Sequence, residues 1–160
     1  MSDNAGFTEQ LLELYQGEVI GEVLFNAMLD MYPDADHRYK SATMLQLETE
    51  TKARLRPALT ELGANLTELE ASREIGNSFV EAIKDKDWAD AMQVISDGVT
   101  PYVERYREIA ANAPAEYREV VLSMVEHEES LQQFTSEEAA GNGEQGLQRI
   151  IRQLQYPLSK

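Results

Sequence analysis

An all-helical bundle is predicted for this 160-residue chain by three features. Apolar residues recur every three to four positions through four long segments, the period of a helix that buries one face. The nine glycines and five prolines sit mostly between those segments, where they end helices rather than interrupt them. Capping residues stand at the segment ends, with Thr8 and Asp87 before and Gly63 and Gly141 after. The expected architecture is two helical hairpins joined by a long crossover, plus a short C-terminal helix. All of it forms one domain over 1–160, with the bundle over about 8–139.

Thr8 caps a first helix that runs to about Tyr32, where Pro33 and the acidic turn Asp34–Asp36 stop it. Leu11, Tyr15, Glu18, Glu22, Phe25 and Leu29 fall on one narrow stripe of that helix. Ile20 and Leu24 point elsewhere and call for a second partner. The second helix starts after Asp36 and ends at Gly63. Its stripe contains Met44, Leu47, Glu48, Thr51, Leu55, Ala58, Leu59 and Leu62, while Pro57 lies on the opposite side.

The connection that follows is far longer than the roughly 2–8 residues that join neighbouring bundle helices. Thr67 and Glu70 have capping-box spacing, so a short helix through about Lys84 is expected inside this crossover. Asp87 caps the third bundle helix, whose stripe holds Trp88, Ala91, Met92, Ile95, Val99, Tyr102, Val103, Tyr106 and Ile109 and no carboxylate. Gly98 and Thr100-Pro101 predict a kink or restart within it. Pro114 opens the fourth bundle helix, with Tyr117, Val120, Val121, Met124, His127, Glu128, Leu131 and Phe134 on its stripe. Gly141-Asn142-Gly143 ends that helix. A terminal helix over about 144–154, carrying Arg149 and Arg152, is expected to pack outside the bundle.

Composition narrows the function. Acidic residues outnumber Lys and Arg by 29 to 14, giving a net charge of −15. Such a surface repels phosphate backbones and anionic headgroups, so neither nucleic acid nor a membrane is an expected partner. The chain has no cysteine, which removes disulfides, thiolate metal sites and thiol catalysis together. The start MSDNAGF shows no basic and apolar leader pattern, and no apolar run nears the roughly 20 residues of a membrane helix. A cytoplasmic protein is the expectation. Neither a Gly-rich phosphate loop nor a G-x-S-x-G elbow occurs.

Carboxylates and a histidine on core-facing stripes are the informative residues. A carboxylate facing a bundle core is costly unless it is paired, hydrogen-bonded or bound to a metal. The candidates are Glu18 and Glu22, Glu48, and then His127 with Glu128. Pairing of Glu18 and Glu22 with Lys40, Lys52 or an arginine is the alternative reading. His37 lies in a turn and is expected at the surface. The tyrosines read as core or rim packing, with Tyr15 or Tyr102 as the ones that could serve a metal.

Two hairpins separated by a long crossover resemble the ferritin-like superfamily of carboxylate four-helix bundles, which includes rubrerythrins and bacterioferritins. There, the first and third helices each supply a Glu, and the second and fourth each supply Glu-x-x-His. By that resemblance Glu18 is the first-helix ligand, Glu48 opens the second motif and His127 closes the fourth. Thr51 and Met124 stand where the motifs have His and Glu, and Val99 or Tyr102 where the third helix has Glu. Glu22 and Glu128 each lie one turn beyond the family position, so a displaced site of Glu22, Glu128 and His127, with Glu18 and Glu48 nearby, is expected. The neighbours His127 and Glu128 stand about 100° apart on the wheel, which opposes their convergence on one ion.

The resemblance implies iron, or manganese, in a mononuclear or dinuclear centre, with oxygen-dependent oxidoreductase chemistry on a small-molecule substrate. The other reading is a metal-free bundle that binds a protein or ligand. A third, a homodimer, follows if Ile20 and Leu24 lie on the outside.

Overall fold

The structure, a computed structural model, describes residues 2–160, with side chains from residue 5 onward. Six α-helices and no strand occur among the described residues: α1 (Ser2–Met31), α2 (Ala35–Glu61), α3 (Glu70–Ile83), α4 (Trp88–Ala111), α5 (Arg118–Ala139) and α6 (Glu144–Ile151). A 3-10 turn over Ala115–Tyr117 follows Pro114 and leads into α5. The four predicted bundle helices are thus α1, α2, α4 and α5, and α3 is the crossover helix.

Local chemistry explains the boundaries. Asp87 caps α4 by accepting from Asp90 N at 2.9 Å. Helix α2 starts at Ala35 rather than after Asp36, and Asp34 caps it, accepting from Asp36 N at 3.0 Å and His37 N at 3.3 Å. Gly63 and Gly141 take the left-handed conformation that closes α2 and α5, with φ of 70° and 83°.

Several expectations are corrected. Helix α1 begins at Ser2 and passes through Thr8; the extra turns place Phe7 against Tyr117, ring centroids 5.4 Å apart. The Thr67–Glu70 capping box does not form. Both the backbone N and the hydroxyl of Thr67 donate to Asn65 Oδ1 instead, and α3 starts after Leu69, whose N–H donates to Gln16 Oε1. Helix α4 is one continuous helix through Gly98 and Pro101, so the restart does not occur. Pro101 is exposed, so the backbone bond it forgoes lies on the water side. His37 is half-buried and stacks on Trp88 at 4.2 Å. Helix α6 does not sit outside the core: Leu147 and Ile150 are buried in one apolar cluster with Phe134 and Met44.

Side-chain partners give the helix directions. Phe7 meets Tyr117 and Glu18 meets His127, so α1 and α5 advance together. Glu48 of α2 lies against Gly21 of α1 and Lys52 lies over Tyr15, while Gln132 of α5 meets Thr100 of α4 and Arg107 meets Glu129; each hairpin is antiparallel. Helix α3 runs along α1, tied by Gln16 to Leu69 and Ser72 at one end and by Tyr32 to Ile83 and Lys86 at the other. Gly76 permits this approach, since a Cβ there would fall 2.7 Å from Val23 and 2.9 Å from the Ile20 carbonyl. Ile20 and Leu24 are therefore buried within the chain, 9% and 4% exposed. The outward placement behind the homodimer expectation does not occur.

The core is split into two apolar clusters. One gathers Phe25, Met28, Met44, Leu47, Met92, Ile95, Leu131 and Phe134. The other gathers Leu11, Leu14, Leu55, Leu59, Tyr106, Ile109, Val121 and Met124. Each large side chain buried in them contributes about 1.5–3 kcal/mol. The residues that separate the clusters along α1, α2 and α5 are the acids and the histidine.

Candidate metal centre

Glu18, Glu48, His127 and Glu128 form this middle layer, exposed by 0%, 2%, 0% and 5%. Helix α1 delivers Glu18, α2 delivers Glu48, and α5 delivers the other two. His127 is held from both sides: Nε2 lies 3.1 Å from Glu48 Oε1 and Nδ1 lies 3.4 Å from Glu18 Oε1. An oxygen of Glu18, a ring nitrogen of His127 and an oxygen of Glu128 all lie within 4.8 Å of one another. His127 and Glu128 do converge, despite their separation on the helix wheel. From α4, Tyr106 donates its hydroxyl toward Glu18 Oε1 and the Leu14 carbonyl, both at 3.4 Å. Two atoms of the layer, Glu18 Oε2 and His127 Nδ1, are buried with no hydrogen-bond partner. Buried polar atoms are rarely left so, and each such atom in a folded chain calls for an explanation.

Glu22 is not brought into the layer. It accepts from Lys52 Nζ and, at 2.9 Å, from Thr49 Oγ1. Lys52 also donates to Glu68, which fastens α1 and α2 to the crossover. The pairing alternative thus describes Glu22, and the core placement describes Glu18 one turn earlier. Thr51 turns its hydroxyl back to the Leu47 carbonyl, and Met124 is buried in an apolar cluster, so neither adds a donor to the layer.

Gly17 and Gly21 are part of how the layer is built, and they escaped notice in the sequence. A Cβ at Gly17 would lie 2.2 Å from the Tyr106 hydroxyl, and one at Gly21 would lie 2.4 Å from the Glu48 carboxyl carbon. Each glycine costs a helix interior about 1 kcal/mol relative to alanine. Two of them one turn apart in α1, flanking Glu18, are the signal that polar groups from other helices press against that backbone. Tyr106 was also missed; its place on the apolar stripe disguised it as packing.

Electrostatics in the layer is dominated by burial. Desolvation pushes the Glu18 carboxyl well above the usual carboxylate range; the His127 ring opposes the shift, and Glu48 and Glu128 reinforce it. Glu48 is pushed well up by burial and then by Glu128. Glu128 is raised by burial, with His127 and Tyr106 opposing. The Tyr106 phenol is held far above its ordinary value by burial and the three acids. Three carboxyls share one imidazole, and the nearby Lys52 is paired with Glu22 and Glu68 instead.

Beside the layer lies a cavity of about 40 Å³. Glu48 and Glu128 reach it, and its walls include Leu24, Ile95, Leu131 and, from the crossover helix, Phe79. No protein-family model, curated protein or solved structure matches this chain.

Proposed function

We propose that this chain is a divalent-metal-binding protein of ferritin-like architecture, with iron, or manganese, held by Glu18, Glu128 and Nδ1 of His127. The observation that carries the reading is the buried group of two carboxylates and an imidazole whose Glu18 Oε2 and His127 Nδ1 lack a hydrogen-bond partner. Carboxylate oxygens with one imidazole suit Fe(II) or Mn(II). Glu48 takes a different role from the other acids. As a carboxylate it accepts from Nε2–H of His127 at 3.1 Å, which fixes the tautomer that leaves Nδ1 as a lone pair on the side of Glu18. Bound iron supplies Lewis acidity and redox chemistry at the edge of a small apolar cavity. The chain's own groups supply the rest: Tyr106 holds Glu18, Glu48 holds His127, and apolar side chains line the adjoining cavity. Opposed hairpins and a crossover running the length of α1 support the ferritin-like reading.

Metal content tests the assignment, on protein purified without chelator from iron- and manganese-supplemented medium. About one ion per chain is expected, lost in both Glu18→Ala and His127→Ala. Stoichiometric metal retained by both variants, or no uptake by the native chain after anaerobic Fe(II) addition, refutes it. The metal-free bundle draws on Thr51 and Met124, which give the layer no donors; it gains if the second result is found.

A further inference from the structure

We propose that Phe79 sets the size limit of the cavity beside the acidic layer, admitting uncharged molecules of two or three heavy atoms and excluding rings. The cavity volume of about 40 Å³ is about three times the roughly 10–15 Å³ that one water requires. Its walls are mostly hydrocarbon, which favours an apolar guest over an ion. Helix α3 contributes one wall residue, Phe79, which lies between α1 and α4. The Phe79 ring rests on Gly98: a Cβ there would come within 2.4 Å of the ring edge. A side chain at position 98 would therefore prevent the ring from closing this wall.

Phe79 is only half-buried and lines the cavity. The polar ties of α3 are at its ends, through Gln16 and Tyr32, and the residues it buries fully are Ser72, Gly76 and Ile83. The turn that carries Phe79 is thus held by apolar contact alone among the described interactions, which suits a movable wall. The glycines at 17, 21 and 98 line the same space, so its width is set by the backbones of α1 and α4 and by this ring.

The size limit itself is independent of metal; only the statement that a guest would meet a metal-bearing floor rests on the function proposed above. Methyl NMR of the full chain, titrated with xenon and with benzene, tests it. In the native chain xenon should shift the methyls of Leu24, Ile95 and Leu131, and benzene should leave them unmoved. Phe79→Ala should bind benzene at these methyls at least tenfold more tightly than the native chain, and Phe79→Leu, the milder variant, should fall between. Equal benzene binding by native and variant chains, or no xenon response in the native chain, overturns the proposal. Metal content measured on the same samples separates the two readings: the expected guest pattern in a chain that takes up no Fe(II) leaves the size limit standing and removes the metal.

Discussion

Replacing Gly21 by alanine distinguishes a built site from an incidental cluster, because two effects of opposite sign meet there. In an unconstrained helix interior the change stabilises by about 1 kcal/mol through helix propensity. Here the new methyl would lie 2.4 Å from Glu48 Cδ, 2.5 Å from Oε2 and 2.8 Å from Cγ. The Glu48 side chain can yield, but only by leaving His127, 3.1 Å away. Leaving a buried polar group without its partner costs about 1–3 kcal/mol. The balance is a net loss of up to about 2 kcal/mol, or a fall in Tm of up to roughly 8 °C for a chain of this size. Gly6 supplies the control: it also lies in α1, and a Cβ there meets nothing within 4 Å. Gly6→Ala should therefore raise the urea midpoint and Gly21→Ala should lower it. Equal stabilisation by both would show that Glu48 is not pressed between α1 and His127, and the account of the layer would fail.

Further outcomes follow from the same geometry. Glu18, Glu48 and Glu128 bind protons more tightly folded than unfolded, so their contribution to stability is fully present below the ordinary carboxylate value of about 4.3 and is lost as pH rises through their folded values. Glu68, Asp36 and Glu126, held low by Lys52, Lys40 and Arg149, act with the opposite sign below that range. Melting in chelator between pH 5 and 8 should show stability falling with pH, and the rise in Tm on adding Mn(II) should grow with pH; stability that climbs across this range in chelator counts against the assignment. Lys52 is buried to 6% exposure while its partners Glu22 and Glu68 are exposed by 22% and 27%. Lys52→Ala should cost about 2 kcal/mol, between the values for exposed and fully buried pairs, as read by urea unfolding, with metal content preserved. A loss of metal in that variant would place Lys52 in the site's support rather than in the crossover clasp.

What the sequence could disclose depended on whether a feature was local. The stripes of α1, α2, α4 and α5 are periodic within their own helices, and Asp87, Gly63 and Gly141 act on their own neighbours, so these were legible. The length of the crossover was legible too, but not its start, because Asn65 competes for Thr67 in a way that capping-box spacing does not reveal. Glu18, Glu48, His127 and Glu128 could be named as core-facing from the wheel alone. Which of them face one another could not, since that depends on the relative heights of three helices. The wheel also gave Glu18 and Glu22 equal standing, and only the partner on α2 tells them apart.

That difference between Glu18 and Glu22 bears directly on why the layer suits a cation. Among the described residues Lys52 is the buried base, and it lies one turn beyond Glu48 on α2. Its ammonium could in principle neutralise the layer, but Glu22 and Glu68 both hold it at the edge of the bundle. The acids Glu18, Glu48 and Glu128 are left with His127 as their one base, and His127 serves Glu48 through one nitrogen while the other has no hydrogen bond. Were the acids there only to fix helix register, one base turned inward would satisfy them, as a buried ion pair does. Instead the nearby base is paired outward, and the glycines at 17 and 21 give up helix propensity to admit a phenol and a carboxylate. A divalent cation accounts for both arrangements at once, because it needs ionised oxygens, a free imidazole nitrogen and no competing ammonium.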